Sequence, residues 1–192
     1  MRNTDFNKML HKTQAMLSGH FLLSSGLHSA GYLQCALLLS CPTCAASLCK
    51  ELARGFGKNK IDIVIGPAYG GIIVAYELAR VINAQAIFTE RKGGIMQLRR
   101  GFTIKKGQRV LIAEDVITTG KSVKEVIKTI RPYKPEIVGI AALIDRSGKQ
   151  NIFGKIRFKS VKKIHIKTYA PKACPLCKEV VPLVKPGSRT LK

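Results

Sequence analysis

The stretch that decides the fold of this chain is Val110-Leu111-Ile112-Ala113-Glu114-Asp115-Val116-Ile117-Thr118-Thr119-Gly120-Lys121-Ser122. Its first four residues are apolar and include β-branched types, which predicts a buried strand that ends at the two adjacent carboxylates. A hydroxyl-rich turn then leads into an amphipathic run from Val123 to Ile130. This order of strand, acidic pair, turn and helix indicates a site for a sugar phosphate.

The turn has the groups that a phosphate requires. Backbone N–H groups at the start of a helix lack intrahelical acceptors, and the helix dipole favours an anion there. Gly120 permits close approach of the backbone to that anion. The hydroxyls that add further donors belong to Thr118, Thr119 and Ser122, and the N–H groups belong to Thr119, Gly120 and Lys121.

The acidic pair needs its own explanation, because carboxylates repel a phosphate. Glu114 and Asp115 are suited to accept hydrogen bonds from ribose hydroxyls and to face positive charge that develops on the sugar ring. This segment has two other interpretations. A nucleotide-binding P-loop needs a glycine five places before Gly120, where Asp115 stands, so that motif does not fit. A merely structural capped turn explains one hydroxyl, but not three hydroxyls beside two acids.

Taken together, these residues resemble the phosphoribosyl-diphosphate signature of type I phosphoribosyltransferases. Further stretches narrow the resemblance to the orotate phosphoribosyltransferase family, and the similarity runs from about residue 15 to the C-terminus. These stretches are Phe21-Leu22-Leu23-Ser24-Ser25-Gly26-Leu27-His28-Ser29, Gly66-Pro67-Ala68-Tyr69-Gly70-Gly71, Glu90-Arg91-Lys92, Leu98-Arg99-Arg100-Gly101-Phe102 and Asp145-Arg146-Ser147-Gly148.

Alternating strand and helix patterns predict an α/β fold with a parallel sheet covered on both faces. The resemblance implies the type I phosphoribosyltransferase fold: a five-stranded parallel sheet flanked by helices, with a small hood that holds the base. We expect a single domain over residues 1–192, with its core at about 60–150 and its hood at about 15–40 and 150–192. The predicted strands are 61–65, 85–88, 109–113 and 137–144, with helices at 3–17, 44–56, 71–81 and 122–130, an extended segment at 20–39 and a long loop at 93–103.

The charge of the chain is strongly positive. Its 192 residues include 33 Lys and Arg against 11 Asp and Glu, a net charge of +22, and residues 149–192 contain a single acid, Glu179. Such a field attracts polyanions, which suits a phosphate-rich substrate and would equally suit a nucleic acid. A lysine-rich surface is also a common means to solubility. Because the sequence contains neither a membrane-length apolar run nor a signal-peptide pattern, we expect a cytoplasmic protein without a membrane partner.

The resemblance assigns roles to further residues. It implies that phosphoribosyl diphosphate binds to residues before, within and after the acidic pair. Orotate is expected to contact Thr118, Arg146 and Tyr32. The catalytic set is expected to be Glu114, Asp115, Lys92, Arg99 and Arg100. The phosphoribosyl-diphosphate set is expected to be Tyr69, Gly70, Arg91, Lys92, Glu114, Asp115, Val116, Ile117, Thr118, Thr119, Gly120, Lys121 and Ser122.

This chain departs from the family at three places. Gly70 stands where relatives often have a lysine that contacts the diphosphate. Ser24 stands at the position of a base-contacting lysine, so any contact with the base there must use a hydroxyl or the backbone. The long loop has Arg99 and Arg100 in place of a lysine and a histidine, which removes a loop histidine as a general acid.

Six cysteines include two Cys-x-x-Cys pairs, Cys41/Cys44 and Cys174/Cys177. Four thiolates with this spacing are able to hold tetrahedral zinc if the fold brings the pairs together. Cysteines also pack as small hydrophobic residues, and a redox pair is a third interpretation. We expect reduced structural thiols and no metal held by protein side chains.

The expected activity is transfer of a phosphoribosyl group to orotate, with Mg²⁺ held mainly through the substrate. The resemblance also implies a homodimer in which loop 93–103 covers the neighbouring subunit's site. One alternative is a phosphoribosyltransferase for another base, since the phosphate site is shared. Another is a regulator of the same fold that senses phosphoribosyl diphosphate and binds nucleic acid. We expect no nucleic-acid partner, since a regulator requires neither the acidic pair nor an arginine loop.

Overall fold

The computed structural model of the protein describes residues 3–23, 25–57, 60–149 and 151–186. Ser24 and the tail from Gly187 onward lie outside the described residues. The helices are α1 (Asn3–Thr13), α2 (Cys35–Leu39), α3 (Pro42–Arg54), α4 (Gly70–Ile82), α5 (Lys121–Ile130) and α6 (Pro175–Lys178). The strands are β1 (Met16–Leu22), β2 (His28–Leu33), β3 (Ile63–Pro67), β4 (Gln85–Lys92), β5 (Ile95–Leu98), β6 (Arg109–Ile117), β7 (Glu136–Asp145), β8 (Phe158–Lys163), β9 (Thr168–Tyr169) and β10 (Leu183–Val184).

The chain divides into two compact units. The core unit comprises residues 39–164. The terminal unit comprises, within the described part of the chain, residues 3–38 and 165–186. Within these ranges, no helix combines the length and the apolar content that crossing a membrane requires.

The core unit is built on a six-stranded sheet with the order β5-β4-β3-β6-β7-β8. The five strands from β4 to β8 in that order pair in parallel, and β5 adds an antiparallel edge. The central strands are rich in Val and Ile and are buried on both faces, as expected of a parallel sheet covered by helices. The mostly parallel α/β fold predicted from the sequence is therefore confirmed.

Helix α5 shows how the sequence sets the packing of this unit. Its apolar residues Val123, Val126 and Ile130 recur at helical spacing and are all buried, whereas its lysines face outward. These side chains join a hydrophobic cluster with Ile65 and Ile112 of the central strands. The packing fixes the start of α5 against the end of β6, and this positions the turn that is predicted to bind phosphate.

Several sequence-based boundaries were wrong. Strand β6 continues to Ile117, because Val116 and Ile117 pair with β7 beyond the acidic residues. The segment 93–103 is not a simple loop, since Ile95–Leu98 forms β5 through a Gly93-Gly94 turn and pairs with β4. The segment 20–39 is not extended throughout, because it ends in α2. Strand β8 was not predicted, and the first helix ends at Thr13 rather than residue 17.

The terminal unit contains a four-stranded sheet with the order β10-β1-β2-β9. Strands β1 and β2 form an antiparallel hairpin near the N-terminus. The two outer strands come from the other end of the chain, and each is only two residues long. Segments from both chain termini therefore form this unit, as predicted for the hood. The prediction that it and the core make up one domain remains a prediction.

Candidate active site

The predicted site residues of the core unit lie where the order in which the chain adds strands to the sheet reverses. From β3 the chain crosses to β4 on one side, whereas β6, β7 and β8 follow on the other side. The crevice between the carboxyl ends of β3 and β6 is thus the topological switch point, where open α/β sheets bind ligands. The turn after β3 and the acidic end of β6 both lie at this crevice.

The acidic pair lies within β6 rather than after it. Glu114 is 7% exposed, and its Oε1 accepts a hydrogen bond from the backbone N–H of Asp115 at 3.1 Å. Oδ1 of Asp115 accepts a hydrogen bond from the N–H of Val116 at 2.7 Å. The two carboxyl groups therefore lie beside each other, and each accepts one of these backbone hydrogen bonds.

This arrangement changes the acidity of both groups. Burial raises the pKa of Glu114 well above its ordinary value, and the neighbouring Asp115 charge raises it further. Burial also raises the pKa of Asp115, although hydrogen bonds from its surroundings oppose the shift. A cationic ligand would reverse these shifts, because positive charge favours ionised carboxylates. The pair is thus suited to a ligand with positive charge.

The turn after β3 packs directly on these acids. A Cβ placed on Gly70 would lie 2.1 Å from Oδ2 of Asp115, and one on Gly71 would lie 3.3 Å from Oε1 of Glu114. The preceding peptide bond, between Ala68 and Tyr69, is cis, and the Tyr69 side chain is 82% exposed. Gly70 therefore lies beside the acidic pair, and the sequence did not reveal this contact.

The predicted phosphate turn has the expected shape. Gly120 has a φ of +72° and precedes α5, and a Cβ at this position would lie 2.8 Å from the ring of Phe153. The N–H of Lys121 donates to Oγ1 of Thr119 at 3.3 Å. Within the described part of the chain, the N–H groups of Thr119, Gly120 and Ser122 have no protein acceptor. These donors at a helix N-terminus are available to an anion.

The predicted cationic residues are held by two glutamates that sequence reasoning did not assign. Arg91 of β4 forms an ion pair with Glu125 of α5, and Nζ of Lys121 lies 4.0 Å from the same carboxylate. After β5, Arg99 and Arg100 both donate to Oε1 of Glu90, at 3.0 and 2.9 Å. The bond from Arg100 lowers the pKa of Glu90. A diphosphate would therefore compete with carboxylates for these arginines.

The last predicted cation of this group, Lys92, lies at the exposed end of β4 opposite Ile95 of β5. Val116 and Ile117 contribute backbone to the edge of the crevice, because they extend β6 beyond the acids.

The structure brings two of the three predicted orotate residues together. The backbone N–H of Arg146, just after β7, donates to the carbonyl of Ile117 at 2.8 Å, and Thr118 is the first residue after β6. Asp145 is buried and accepts hydrogen bonds from the N–H and hydroxyl of Ser147. Tyr32 lies on β2 of the terminal unit, and its role remains a prediction.

The two Cys-x-x-Cys pairs belong to different units. Cys41 and Cys44 stand at the start of α3 in the core unit, with their sulfur atoms 2.7 Å apart. Cys174 and Cys177 belong to the terminal unit, and all six cysteines are free thiols. Among the described residues, the group with metal-ligand geometry joins Cys174 and Cys177 to two histidines rather than to the other pair. Within the described residues, that group includes neither Cys41 nor Cys44.

Comparison with known proteins agrees with this geometry. The phosphoribosyl transferase domain family model matches residues 43–169. The orotate phosphoribosyltransferase of Caldicellulosiruptor saccharolyticus is 52% identical over 192 residues, which is 100% of both chains. That of Caldanaerobacter subterraneus subsp. tengcongensis is 52% identical over 184 residues, 96% of each chain. The crystal structure of orotate phosphoribosyltransferase from Aeropyrum pernix is similar with a TM-score of 0.69 and 29% identity, covering 82% of this chain and 92% of that one.

Proposed function

This chain belongs to the orotate phosphoribosyltransferase family, and from that premise we propose that it transfers the 5-phosphoribosyl group of phosphoribosyl diphosphate to orotate. The products are orotidine 5′-phosphate and diphosphate, a step of pyrimidine biosynthesis. The observation that supports this proposal is that an acidic pair, a turn with unpaired N–H donors and the backbone of Arg146 meet at one switch point. Full-length identity to proteins with this name favours orotate over the other bases.

The proposed mechanism assigns each group a task. The N–H groups and hydroxyls of residues 118–122 bind the 5-phosphate at the start of α5. Glu114 and Asp115 accept hydrogen bonds from the ribose hydroxyls and stabilise positive charge on the ring as the bond to diphosphate lengthens. The ring nitrogen of orotate then attacks the anomeric carbon as the bond to the diphosphate oxygen breaks, and the proton of that nitrogen passes to the departing diphosphate. This displacement requires no covalent enzyme intermediate.

The leaving group requires cations. Arg91, Lys92, Arg99 and Arg100 are proposed to neutralise the diphosphate, together with backbone contacts from Tyr69 and Gly70. Their carboxylate partners Glu90 and Glu125 hold the arginines near the site until the more highly charged diphosphate replaces them. The guanidinium of Arg146 is proposed to bind the carboxylate of orotate, for which its planar donor pair is well suited.

Mg²⁺ is the proposed cofactor, held mainly by substrate oxygens and water. The residues present fit this ion, because the acidic pair has raised pKa values that a nearby cation would lower. When bound, Mg²⁺ would neutralise charge on the diphosphate. We also propose a cytoplasmic homodimer in which the segment 93–103 of one subunit covers the other subunit's site, and a single domain formed by both units.

The test compares four bases as substrates. Purified protein is mixed with phosphoribosyl diphosphate and Mg²⁺, and loss of free base is followed for orotate, uracil, adenine and hypoxanthine in parallel. The proposal predicts consumption of orotate with equimolar release of diphosphate. Consumption of a purine instead would establish the alternative of another base. Salt-sensitive binding to nucleic acid without turnover of any base would establish the regulator.

A further inference from the structure

Four side chains of the terminal unit converge on one point. Nε2 of His20, Nδ1 of His28 and the sulfur atoms of Cys174 and Cys177 all lie within 4.8 Å of one another. The two histidines and Cys174 are buried, and Cys177 is exposed. We propose that these residues form a structural zinc site, independent of the phosphoribosyl site.

The distances are those of ligands around one ion. Zinc bound at about 2.3 Å from sulfur and 2.0–2.1 Å from nitrogen requires nitrogen-to-sulfur edges of about 3.6 Å in a tetrahedron. Nε2 of His20 lies 3.5 Å from the sulfur of Cys174 and 3.8 Å from that of Cys177. Nδ1 of His28 lies 3.3 Å from the sulfur of Cys177. The 2.8 Å between the two ring nitrogens is shorter, so the histidines separate slightly around an ion.

The second nitrogen of His20 supports this assignment. Nδ1 donates a hydrogen bond to the carbonyl of Val181 at 2.8 Å, which leaves Nε2 as the ring nitrogen that faces the cluster. Metal-binding histidines almost always make such a bond, which fixes the tautomer and the ring orientation. Two thiolates and two neutral imidazoles around a divalent ion form a neutral complex, which is compatible with burial.

The ligand set selects the metal. Two soft sulfur ligands and two imidazoles in a tetrahedron are characteristic of zinc, whereas magnesium and calcium prefer oxygen ligands. Cys174-Pro175-Leu176-Cys177 begins a short helix, α6, and a separation of three residues brings both sulfur atoms to one side of it. Because four protein side chains fill the tetrahedron, the proposed coordination leaves no position for a substrate, as in structural zinc sites.

The topology explains what the ion contributes. Cys174 and Cys177 lie on the connection from β9 to β10, which are the opposite edges of the terminal sheet. The histidines lie on the central hairpin, where His28 pairs with Tyr169 and His20 pairs with Leu183. Two-residue strands provide few backbone hydrogen bonds. A zinc ion would therefore fasten the C-terminal segment onto the N-terminal hairpin, as metals do in units whose apolar core is small.

The experiment measures the metal in the full chain. The protein is produced with a non-metal-affinity tag in zinc-supplemented medium and purified without chelators, and its metals are quantified by mass spectrometry. We expect about one zinc per chain for the wild type. His28→Ala and Cys177→Ser should lower zinc content at least about tenfold. Cys41→Ser, from the other cysteine pair, and His165→Ala, from an exposed position in the same unit, should retain the zinc.

A second measurement uses the wild type alone, so it does not depend on the folding of any variant. The protein is stripped with a chelator under reducing conditions and reloaded with Co²⁺. Intense visible bands of four-coordinate cobalt, with thiolate charge transfer in the near ultraviolet, support the site. Weak bands of six-coordinate cobalt would overturn it. So would wild-type protein that takes up no zinc, zinc retained equally by His28→Ala and Cys177→Ser, or a Cys174–Cys177 disulfide found in the metal-free protein under reducing conditions.

Discussion

Gly70 and Asp115 are in such close contact that a Cβ on Gly70 would lie 2.1 Å from the Oδ2 atom and 2.6 Å from the Cγ atom of Asp115. No side chain fits at position 70 while Asp115 keeps this position. The glycine that replaces the family's frequent lysine is therefore part of how this chain positions its acidic pair.

The first prediction concerns Gly70→Ala. The new methyl group should force the Asp115 carboxylate away from the ribose, and kcat/KM for phosphoribosyl diphosphate should fall about 10- to 100-fold, because small displacements of catalytic groups have large effects. Gly57→Ala is the matched control, since a Cβ there meets only backbone oxygens at 3.9 Å. Steady-state kinetics of both variants provide the comparison. An unchanged kcat/KM in Gly70→Ala would contradict the proposed catalytic role of Asp115.

The second prediction concerns stability and pH. Because the pKa of Glu114 is raised, the folded protein keeps this proton over a pH range in which the unfolded chain has lost it. The contribution of this carboxyl to stability therefore falls as pH rises through that range. Glu114→Gln should raise the Tm of the unliganded protein at neutral pH. The increase should be about 2–4 °C for each kcal/mol that the neutral amide adds to the free energy of unfolding. Its activity should fall sharply.

The measurement is thermal unfolding at several pH values with Glu136→Gln as the control, since Glu136 lies at an exposed surface ion pair. The difference in Tm between Glu114→Gln and wild type should shrink toward zero as pH decreases, because both side chains are then uncharged. A constant difference at all pH values would contradict the raised pKa.

Arg146 provides the third prediction. Arg146→Ala should raise KM for orotate about 10- to 100-fold, the value of a charge-assisted hydrogen-bond pair, with little change in KM for phosphoribosyl diphosphate. Arg146→Lys should recover only part of the loss, because a lysine cannot present two planar donors. Arg131→Ala, an exposed arginine at the end of α5, controls for loss of charge. Equal effects on both substrates would argue against an orotate contact.

The fourth prediction separates the arginine segment from ordinary surface ion pairs. Arg100 and Arg80 each pair with a glutamate, and both side chains are 62% exposed. Exposed pairs contribute little to stability, so neither Arg100→Ala nor Arg80→Ala should change the Tm by more than about 2 °C. Only Arg100→Ala should lower kcat, about tenfold or more, through loss of charge stabilisation on the leaving diphosphate. Identical kinetics in the two variants would contradict a catalytic role for Arg100 and would indicate an ordinary solvent-exposed segment.

The sequence predicted those features that depend on local pattern. The strand, acidic pair, glycine and helix of residues 110–130 follow from hydrophobic periodicity and helix-start chemistry, and the structure has them in that order. The end of β6 was missed because pairing with β7 extends the strand through polar residues, a tertiary effect that overrides local preference. The strand β5 was missed for a similar reason, since four residues become a strand only beside β4.

Contacts between distant residues could not be predicted from the pattern. Glu90 and Glu125 are ordinary surface acids in the sequence, and only the fold shows that they form ion pairs with Arg91, Arg99 and Arg100, the arginines of the predicted site. The Cys174/Cys177 pair was a visible signal, yet its partners were not the other cysteine pair. His20 and His28 lie about 150 residues away along the chain, and a metal site with ligands so far apart in sequence is recognised only from the structure.

A crystal structure of the protein soaked with ribose 5-phosphate tests the proposed phosphate and ribose contacts most directly. We expect the phosphate within hydrogen-bond distance of the N–H groups of Thr119 and Gly120, with the ribose hydroxyls bonded to Glu114 and Asp115. Density for the sugar phosphate elsewhere, with nothing bound at the turn of residues 118–122, would contradict it.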